Sequence, residues 1–137
     1  MNQDKVYDFV AVGVGPFNLG LACLSATIED LDGVFLDQKD NFNWHPGMML
    51  QDTTLQIPFI ADLVTMADPT NPFSFLNYIK QKGKMYSFYI RENFLLLRKE
   101  YTQYCQWAIS KLPNVMFKTR VNEIFYNEER KLSLIHI

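Results

Sequence analysis

Two glycines near the start of the chain have the spacing of a turn that binds dinucleotides. Gly13 and Gly15 follow the run VYDFVAV, and Asn18 occupies the third position of the G-x-G-x-x-G pattern. Gly13 permits a tight turn after a strand, while Gly15 lets backbone N–H groups approach a pyrophosphate at the amino end of the next helix. Because the third glycine mainly serves packing, we expect Asn18 to be tolerated as an N-cap, with Gly20 allowing close packing. The pattern predicts a dinucleotide site; the alternative is an ordinary structural turn.

Asp37 stands where such a site requires an acid. It closes the run GVFLD, which follows the helix after the glycines. In a β-α-β unit, an acid about 20 residues after the glycines accepts hydrogen bonds from a ribose. Taken alone, Asp37 would be a surface acid at the end of a strand. Its occurrence together with the glycine turn favours the ribose interpretation.

Three further side chains could lie beside a bound ring. Trp44 and His45 occur in the loop FNWHPGM. His45 is equally well interpreted as a loop histidine whose imidazole hydrogen-bonds to the backbone. Nothing marks it as a catalytic base. Arg98 shares one face of a predicted helix with Phe94 and Tyr101. Its guanidinium either extends along the apolar face to solvent or stacks on an electron-rich ring. No catalytic residue is predicted.

The elements that must position these residues form a β-α-β start followed by helices and a hairpin. The predicted elements are a buried strand in VYDFVAV, a helix from Asn18 to about Asp30, a strand in GVFLD, a long aromatic connection over 38–70, a short helix in NPFSFLNYIKQKG with Pro72 in its first turn, a long helix from about Arg91 or Phe94 to Leu112, and strands near 115–126 and 131–137. This order predicts an α/β, Rossmann-like fold with a parallel sheet, a helical insertion and a terminal β-hairpin. Long aromatic connections are usually functional.

Composition narrows the function classes. The chain has 137 residues, enough for one domain, with 13 basic against 15 acidic residues and a net charge of −2. This balance gives no electrostatic footprint for nucleic acid. No apolar run approaches the roughly 20 residues of a membrane span, and no secretory signal occurs, so a cytoplasmic protein is expected. Cys23 and Cys105 are far apart without clustered histidines, which predicts buried thiols and no metal site.

Four segments together resemble the microbial N-hydroxylating flavoprotein monooxygenases, the lysine, ornithine and diamine N-monooxygenases of hydroxamate siderophore synthesis. They are GVGPFNLGLA, FNWHPGMML, LQIPFIADLVTMADPTNPFSFLNYI and RENFLLLRKEYTQYCQW, in that order. The resemblance implies that residues 1–137 are the N-terminal part of an FAD-binding domain. It also implies that NADPH reduces FAD, that O2 then reacts, and that a neutral primary amine becomes a hydroxylamine.

The resemblance assigns cofactor contacts residue by residue. It implies Gly13, Gly15, Pro16, Phe17 and Asn18 at the pyrophosphate, the run of Asp37, Gln38, Lys39, Trp44 and His45 along the cofactor, Gln56 against the isoalloxazine, Arg98 near the flavin ring and Val121 at the adenine.

Ala61 is the informative departure from the family pattern. Amino-acid hydroxylases of this kind carry a lysine in FxKDL that contacts the substrate, where this chain has FIADL. Without that lysine, an α-carboxylate loses a charge-assisted contact worth about 1.5 to 3 kcal/mol. The departure favours putrescine, cadaverine or a histamine-like amine over lysine or ornithine, which remain the alternative substrates.

Length is the second departure. Family members are much longer and carry a second glycine fingerprint for NADPH, which is absent from these 137 residues. We therefore expect this chain alone to bind FAD weakly and not to turn over, and the full-length enzyme to be a homo-oligomer. Other interpretations are a short NAD(P)-dependent oxidoreductase without flavin and a non-catalytic nucleotide-binding fragment.

Overall fold

A parallel sheet, two antiparallel strand pairs and four α-helices make up the fold, which a computed structural model describes for residues 5–137. In chain order the elements are β1 (Phe9–Val12), α1 (Pro16–Ser25), β2 (Gly33–Leu36), a 3-10 turn (Pro46–Met48), β3 (Thr54–Pro58), α2 (Phe75–Gln81), α3 (Met85–Ile90), β4 (Leu95–Leu97), α4 (Arg98–Ile109), β5 (Val115–Met116), β6 (Glu123–Asn127) and β7 (Leu132–His136). The strands form a sheet of order β1-β2-β5 and the pairs β3-β4 and β6-β7. The expected α/β fold with a terminal hairpin is confirmed.

The β-α-β unit brings the ends of its two strands together. β1 runs parallel to β2, with Phe9 opposite Gly33 and Val12 opposite Leu36. A side chain at Gly33 would overlap the ring of Phe9, so a glycine is needed where β2 faces Phe9. β2 is buried throughout because it lies between β1 and β5. β1 is half-buried rather than buried as expected, since in the described part of the chain it lies at the sheet edge.

The expected helices are correct in kind but wrong in extent. α1 begins two residues earlier than predicted and ends at Ser25, so Ile28 is exposed. α2 begins at Phe75, because the side chain of Ser74 accepts a hydrogen bond from the Asn77 N–H and caps the helix. Pro72 therefore precedes the helix instead of lying in its first turn. Within residues 5–137, no helix combines the length and hydropathy needed to cross a bilayer.

The long helix predicted from about Arg91 or Phe94 is wrong in its first half. The run Leu95–Leu97 is extended and pairs antiparallel with β3, and α4 begins only at Arg98. Phe94 therefore does not share a helix face with Arg98. The expected connection over 38–70 contains β3, α3 was not predicted, and the strand expected over 115–126 divides into β5 and β6.

Aromatic side chains fill the core between the parallel sheet and helices α1, α2 and α4. The buried rings are Phe35, Phe42, Phe73, Phe75, Tyr78, Tyr101, Tyr104 and Trp107. Cys23 and Cys105 lie in the same core as free thiols, as predicted. Burial raises the pKa of the Cys23 thiol to about 12 and also raises that of Cys105, so both stay protonated near neutral pH.

Candidate functional site

The glycine turn has the conformation that its sequence predicts. Gly13 has φ +88, a backbone region that favours glycine, and its N–H donates to the Leu36 carbonyl at 2.7 Å. Gly15 is extended, with φ −91 and ψ 177, and precedes the first residue of α1. A Cβ built on either glycine would meet no atom within 4 Å. The turn therefore leaves open space at the amino end of α1.

Asn18 supports the turn in a way that the sequence did not indicate. The helix N-cap is Gly15, so the expected capping role of Asn18 is wrong. Its side-chain Nδ2 instead donates to the carbonyls of Gly13 at 2.7 Å and Val12 at 3.3 Å. Asn18 thus ties the first helical turn to the end of β1. Gly20 does allow close packing, but against a loop: its Cβ would lie 2.8 Å from the Leu63 carbonyl oxygen.

Backbone donors at this turn are available to an anion. Within residues 5–137, the N–H groups of Gly15, Phe17 and Asn18 have no hydrogen-bond acceptor. The first turn of α1 contains no acidic residue that would occupy them. Free N–H groups and the helix dipole favour a phosphate or carboxylate at such an end. The side chain of Phe17 is 96% exposed beside these donors.

Asp37 joins the two strands at their carboxyl ends. Its Oδ2 accepts from the Val14 N–H and its Oδ1 from the Lys39 N–H, both at 2.8 Å, and the residue is 8% exposed. Its backbone carbonyl accepts from the N–H of Thr119 at 2.9 Å. Asp37 is therefore a buried acceptor that fixes the loop after β2 as well as a candidate ribose ligand.

A cavity of about 380 Å³ opens beside Asp37. Its lining residues are Val12, Gly13, Leu36, Asp37, Gln38, Lys39, Thr119 and Val121. Parallel α/β sheets bind ligands at this edge, beyond the carboxyl ends of the strands. The cavity brings together five of the predicted cofactor residues and adds Thr119, which the sequence analysis missed. A larger groove of about 440 Å³ between α2 and α4 contains none of the predicted site residues.

Asp37→Ala should destabilise the protein even without a ligand. The substitution leaves the buried N–H of Val14 without an acceptor, which lowers the unfolding free energy by about 1 to 3 kcal/mol. Urea unfolding of the FAD-free protein, followed by tryptophan fluorescence, measures the loss. Asp40→Ala is the matched control: its side chain is 86% exposed, and we expect a change within about 0.5 kcal/mol. Equal stability of the two variants would show that Asp37 does not fix the loop.

A second group of predicted residues lies around Trp44. The Trp44 ring centroid is 5.0 Å from those of His45 and Tyr101, and the Arg98 Cζ lies 5.9 Å from it. This geometry supports the stacking interpretation of Arg98. The Nε of Arg98 is buried without a hydrogen-bond partner among the described residues, which leaves a donor for a ligand. The imidazole of His45 makes no hydrogen bond within residues 5–137. The structure therefore does not support the interpretation that this side chain hydrogen-bonds to the backbone.

Gln56 and Ala61 lie on the β3-β4 pair and the turn that follows it. Gln56 is exposed in the middle of β3, and the Ala61 N–H donates to the Pro58 carbonyl at 3.0 Å. Arg98 directly follows β4, and its N–H donates to the Thr53 carbonyl at 2.9 Å. Gln56 and Arg98 therefore belong to the β3-β4 pair, and Ala61 lies in the turn after β3. Packing of Leu63 on Gly20 connects this group to α1.

Comparison with known proteins gives consistent matches over the whole chain. A family model described as L-lysine 6-monooxygenase/L-ornithine 5-monooxygenase matches residues 5–137. The chain is 53% identical over 137 residues to the putrescine N-hydroxylase of Acinetobacter baumannii, covering 100% of this chain and 31% of that protein.

Two solved structures share the fold. The FAD-bound crystal structure of DfoA, the cadaverine monooxygenase of the desferrioxamine pathway of Erwinia amylovora, matches with TM-score 0.94 and 58% identity over 96% of this chain and 31% of that chain. The ornithine N-hydroxylase KtzI of Kutzneria sp. 744, with reduced FAD, NADP+ and L-ornithine, matches with TM-score 0.85 and 33% identity over 90% of this chain and 30% of that chain. The chain thus spans about a third of the length of each relative.

Proposed function

Because the chain belongs to the L-lysine 6-monooxygenase/L-ornithine 5-monooxygenase family, we propose that it is part of a flavin-dependent enzyme that N-hydroxylates a primary diamine. Residues 1–137 are the N-terminal part of its FAD-binding domain, and the NADPH-binding domain lies outside them. The enzyme serves hydroxamate siderophore synthesis in the cytoplasm. The observation that carries the proposal is the glycine turn with its free donors, beside a buried acid on the neighbouring strand.

The described residues fit FAD on several independent features. The free N–H groups of Gly15, Phe17 and Asn18 suit a diphosphate, because they point donors and a partial positive charge at one place. The cavity beside Asp37 suits the ribose and adenine end. The buried, unpaired Nε of Arg98 offers a donor to an electron-rich ring or its carbonyls. These features support one extended ligand with an anionic middle.

The chain's own residues bind and orient, whereas the cofactor supplies the redox chemistry. Bound FAD would supply the redox chemistry by which NADPH and O2 deliver one oxygen atom to the amine. The glycine turn would hold the diphosphate, and the Asp37 carboxylate would accept hydrogen bonds from the ribose hydroxyls. Trp44 and Arg98, whose side chains pack on each other, would exclude water from one side of the flavin ring. Gln56 would lie against the isoalloxazine, and Gln38, Lys39 and Val121, which line the cavity, would lie at the adenine end.

Exposed apolar side chains support a larger polypeptide. Phe17 is 96%, Phe94 67% and Ile57 48% exposed. Large apolar side chains that are exposed on a domain can be covered by another protein segment. We propose that the rest of the enzyme, and further copies of it, cover these side chains.

Ala61 supports a diamine substrate. A short apolar side chain there offers no cation to an α-carboxylate, and the relatives named for putrescine and cadaverine are 53% and 58% identical against 33% for the ornithine enzyme. The test is a steady-state assay of the full-length polypeptide with FAD and NADPH on putrescine, cadaverine, histamine, L-lysine and L-ornithine. Hydroxylamine should form fastest from a diamine. A preference for either amino acid would refute the substrate, and no product from any amine would refute the activity.

A further inference from the structure

Hydrogen bonds to other parts of the fold anchor the turn that carries Ala61. The turn Pro58–Asp62, called here the 58–62 turn, follows β3 and exposes Ile60. Its first half is joined to the residue before β4, since the Phe59 N–H donates to the Phe94 carbonyl at 2.8 Å. At its second half, the Ala61 N–H donates to the Pro58 carbonyl at 3.0 Å, and the Asp62 side chain and the following residue, Leu63, connect the turn to α2 and α4.

Asp62 uses both carboxylate oxygens to hold the turn. Oδ1 accepts from the N–H groups of Val64 at 2.9 Å and Thr65 at 2.7 Å. Oδ2 accepts from the Thr65 hydroxyl at 2.7 Å and from the Phe75 N–H at 2.6 Å. The last of these bonds ties the turn to the first residue of α2. Four donors occupy the carboxylate, so Asp62 is fixed as a hydrogen-bond acceptor.

Tyr104 holds the next residue, Leu63. Its hydroxyl accepts from the Leu63 N–H at 3.3 Å and donates to the Phe73 carbonyl at 2.7 Å. The residue is fully buried, and burial raises the pKa of its phenol well above the ordinary value, so the O–H donor persists at any working pH. The Leu63 carbonyl meanwhile packs against Gly20 of α1. Leu63 is therefore fixed between α4 and α1.

We propose that Asp62 and Tyr104 are positioning residues for amine hydroxylation. They fix the 58–62 turn and Leu63 to α2 and α4, and Leu63 in turn packs on Gly20 of α1, so that an amine at Ala61 keeps a constant place relative to a cofactor held at the amino end of α1. This inference rests on the proposed function. Neither side chain touches substrate; both act through the backbone of residues 62–65.

When the amine is out of place, the reaction forms a different product, H2O2, which can be measured. Productive turnover converts R-NH2, O2, NADPH and H+ into R-NHOH, H2O and NADP+. When the amine is out of place, the same NADPH, O2 and H+ give H2O2 and NADP+, and the amine is unchanged. A displacement of about 1 Å can lower the rate of transfer about 100-fold, while NADPH oxidation continues. The ratio of hydroxylamine to NADPH consumed therefore reports position rather than folding.

Tyr104→Phe in the full-length holoenzyme tests the proposal. It keeps the ring but removes both hydrogen bonds, so the hydroxylamine formed per NADPH should fall at least about 5-fold, with H2O2 making up the difference and FAD content unchanged. Tyr78→Phe is the matched control, because its ring lies 5.6 Å from that of Tyr104 in the same cluster and its hydroxyl makes no hydrogen bond to residues 58–65. That variant should keep the original ratio.

Asp62→Asn provides a second, independent measurement. It replaces one accepting oxygen by an amide that faces backbone donors, and it should lower the same ratio. Unchanged ratios in both variants would overturn the proposal. Loss of FAD in proportion to the loss of product would also overturn it, because the residues would then support only the fold. Failure of the unsubstituted enzyme to make hydroxylamine would instead refute the proposed function.

Discussion

Gly15→Ala should weaken FAD binding about 10- to 100-fold in the full-length polypeptide, a loss of about 1.4 to 2.7 kcal/mol. The effect arises because the added methyl group enters the open space next to the free N–H groups, where the diphosphate must approach the backbone. The protein itself has room for it: φ is −91, and no atom lies within 4 Å of the built Cβ. Since Gly15 is also the N-cap, we expect the unfolding free energy to fall by no more than about 1 kcal/mol.

Gly83→Ala is the control for this experiment. Gly83 follows α2 with φ +67, so alanine there is strained and lowers stability by about 1 to 2 kcal/mol. It should leave the FAD dissociation constant, measured by flavin fluorescence titration, unchanged. If Gly15→Ala binds FAD as well as the unsubstituted protein, the diphosphate does not lie at this turn.

Ala61→Lys should lower kcat/KM for putrescine and cadaverine at least about 10-fold, because like charges placed close together cost more than about 1.4 kcal/mol. A diamine presents a second ammonium group that the new lysine repels. The substitution should not create activity on L-lysine or L-ornithine, since one cation does not supply the rest of an amino-acid pocket. Steady-state assays at two salt concentrations measure the effect, which should shrink at high salt.

Ala61→Met separates charge from size. Methionine has nearly the length of lysine without its charge, so we expect a smaller loss that does not depend on salt. Equal losses in the two variants would show that charge near position 61 does not select the substrate. A gain of lysine or ornithine activity in Ala61→Lys would show that the remaining pocket already accepts an α-carboxylate.

The glycine turn and Asp37 could be predicted because the information is local. A β-branched strand, two glycines and a helix specify the turn, and parallel pairing of β1 with β2 then brings Asp37 to the Val14 N–H. The role of Asn18 could not be predicted in this way. Both capping and bonding back to the strand suit an asparagine, and only the position of Gly15 as N-cap decides between them.

The β3-β4 pair could not be predicted because its cause is not local. Leu95–Leu97 directly precedes a helical pattern, so the sequence alone predicts that it is the first turn of the helix. In the structure it is an extended strand that pairs with β3, far earlier in the chain. That pairing gives Arg98 its place at the start of α4. Thr119 was missed because its hydrogen bond to Asp37 depends on the path that the chain takes after β5. Asp62 could have been found, since Asp with Thr three residues later is typical of a side-chain-capped turn.

Flavin retention decides whether the glycine turn binds a dinucleotide. The full-length polypeptide containing residues 1–137 should purify yellow, or become yellow after incubation with FAD and gel filtration, with flavin absorbance in proportion to protein. The same preparation of Gly15→Ala should retain less flavin at equal protein concentration. A polypeptide that is folded, colourless and still without flavin after incubation would contradict the assignment of this site and the function built on it.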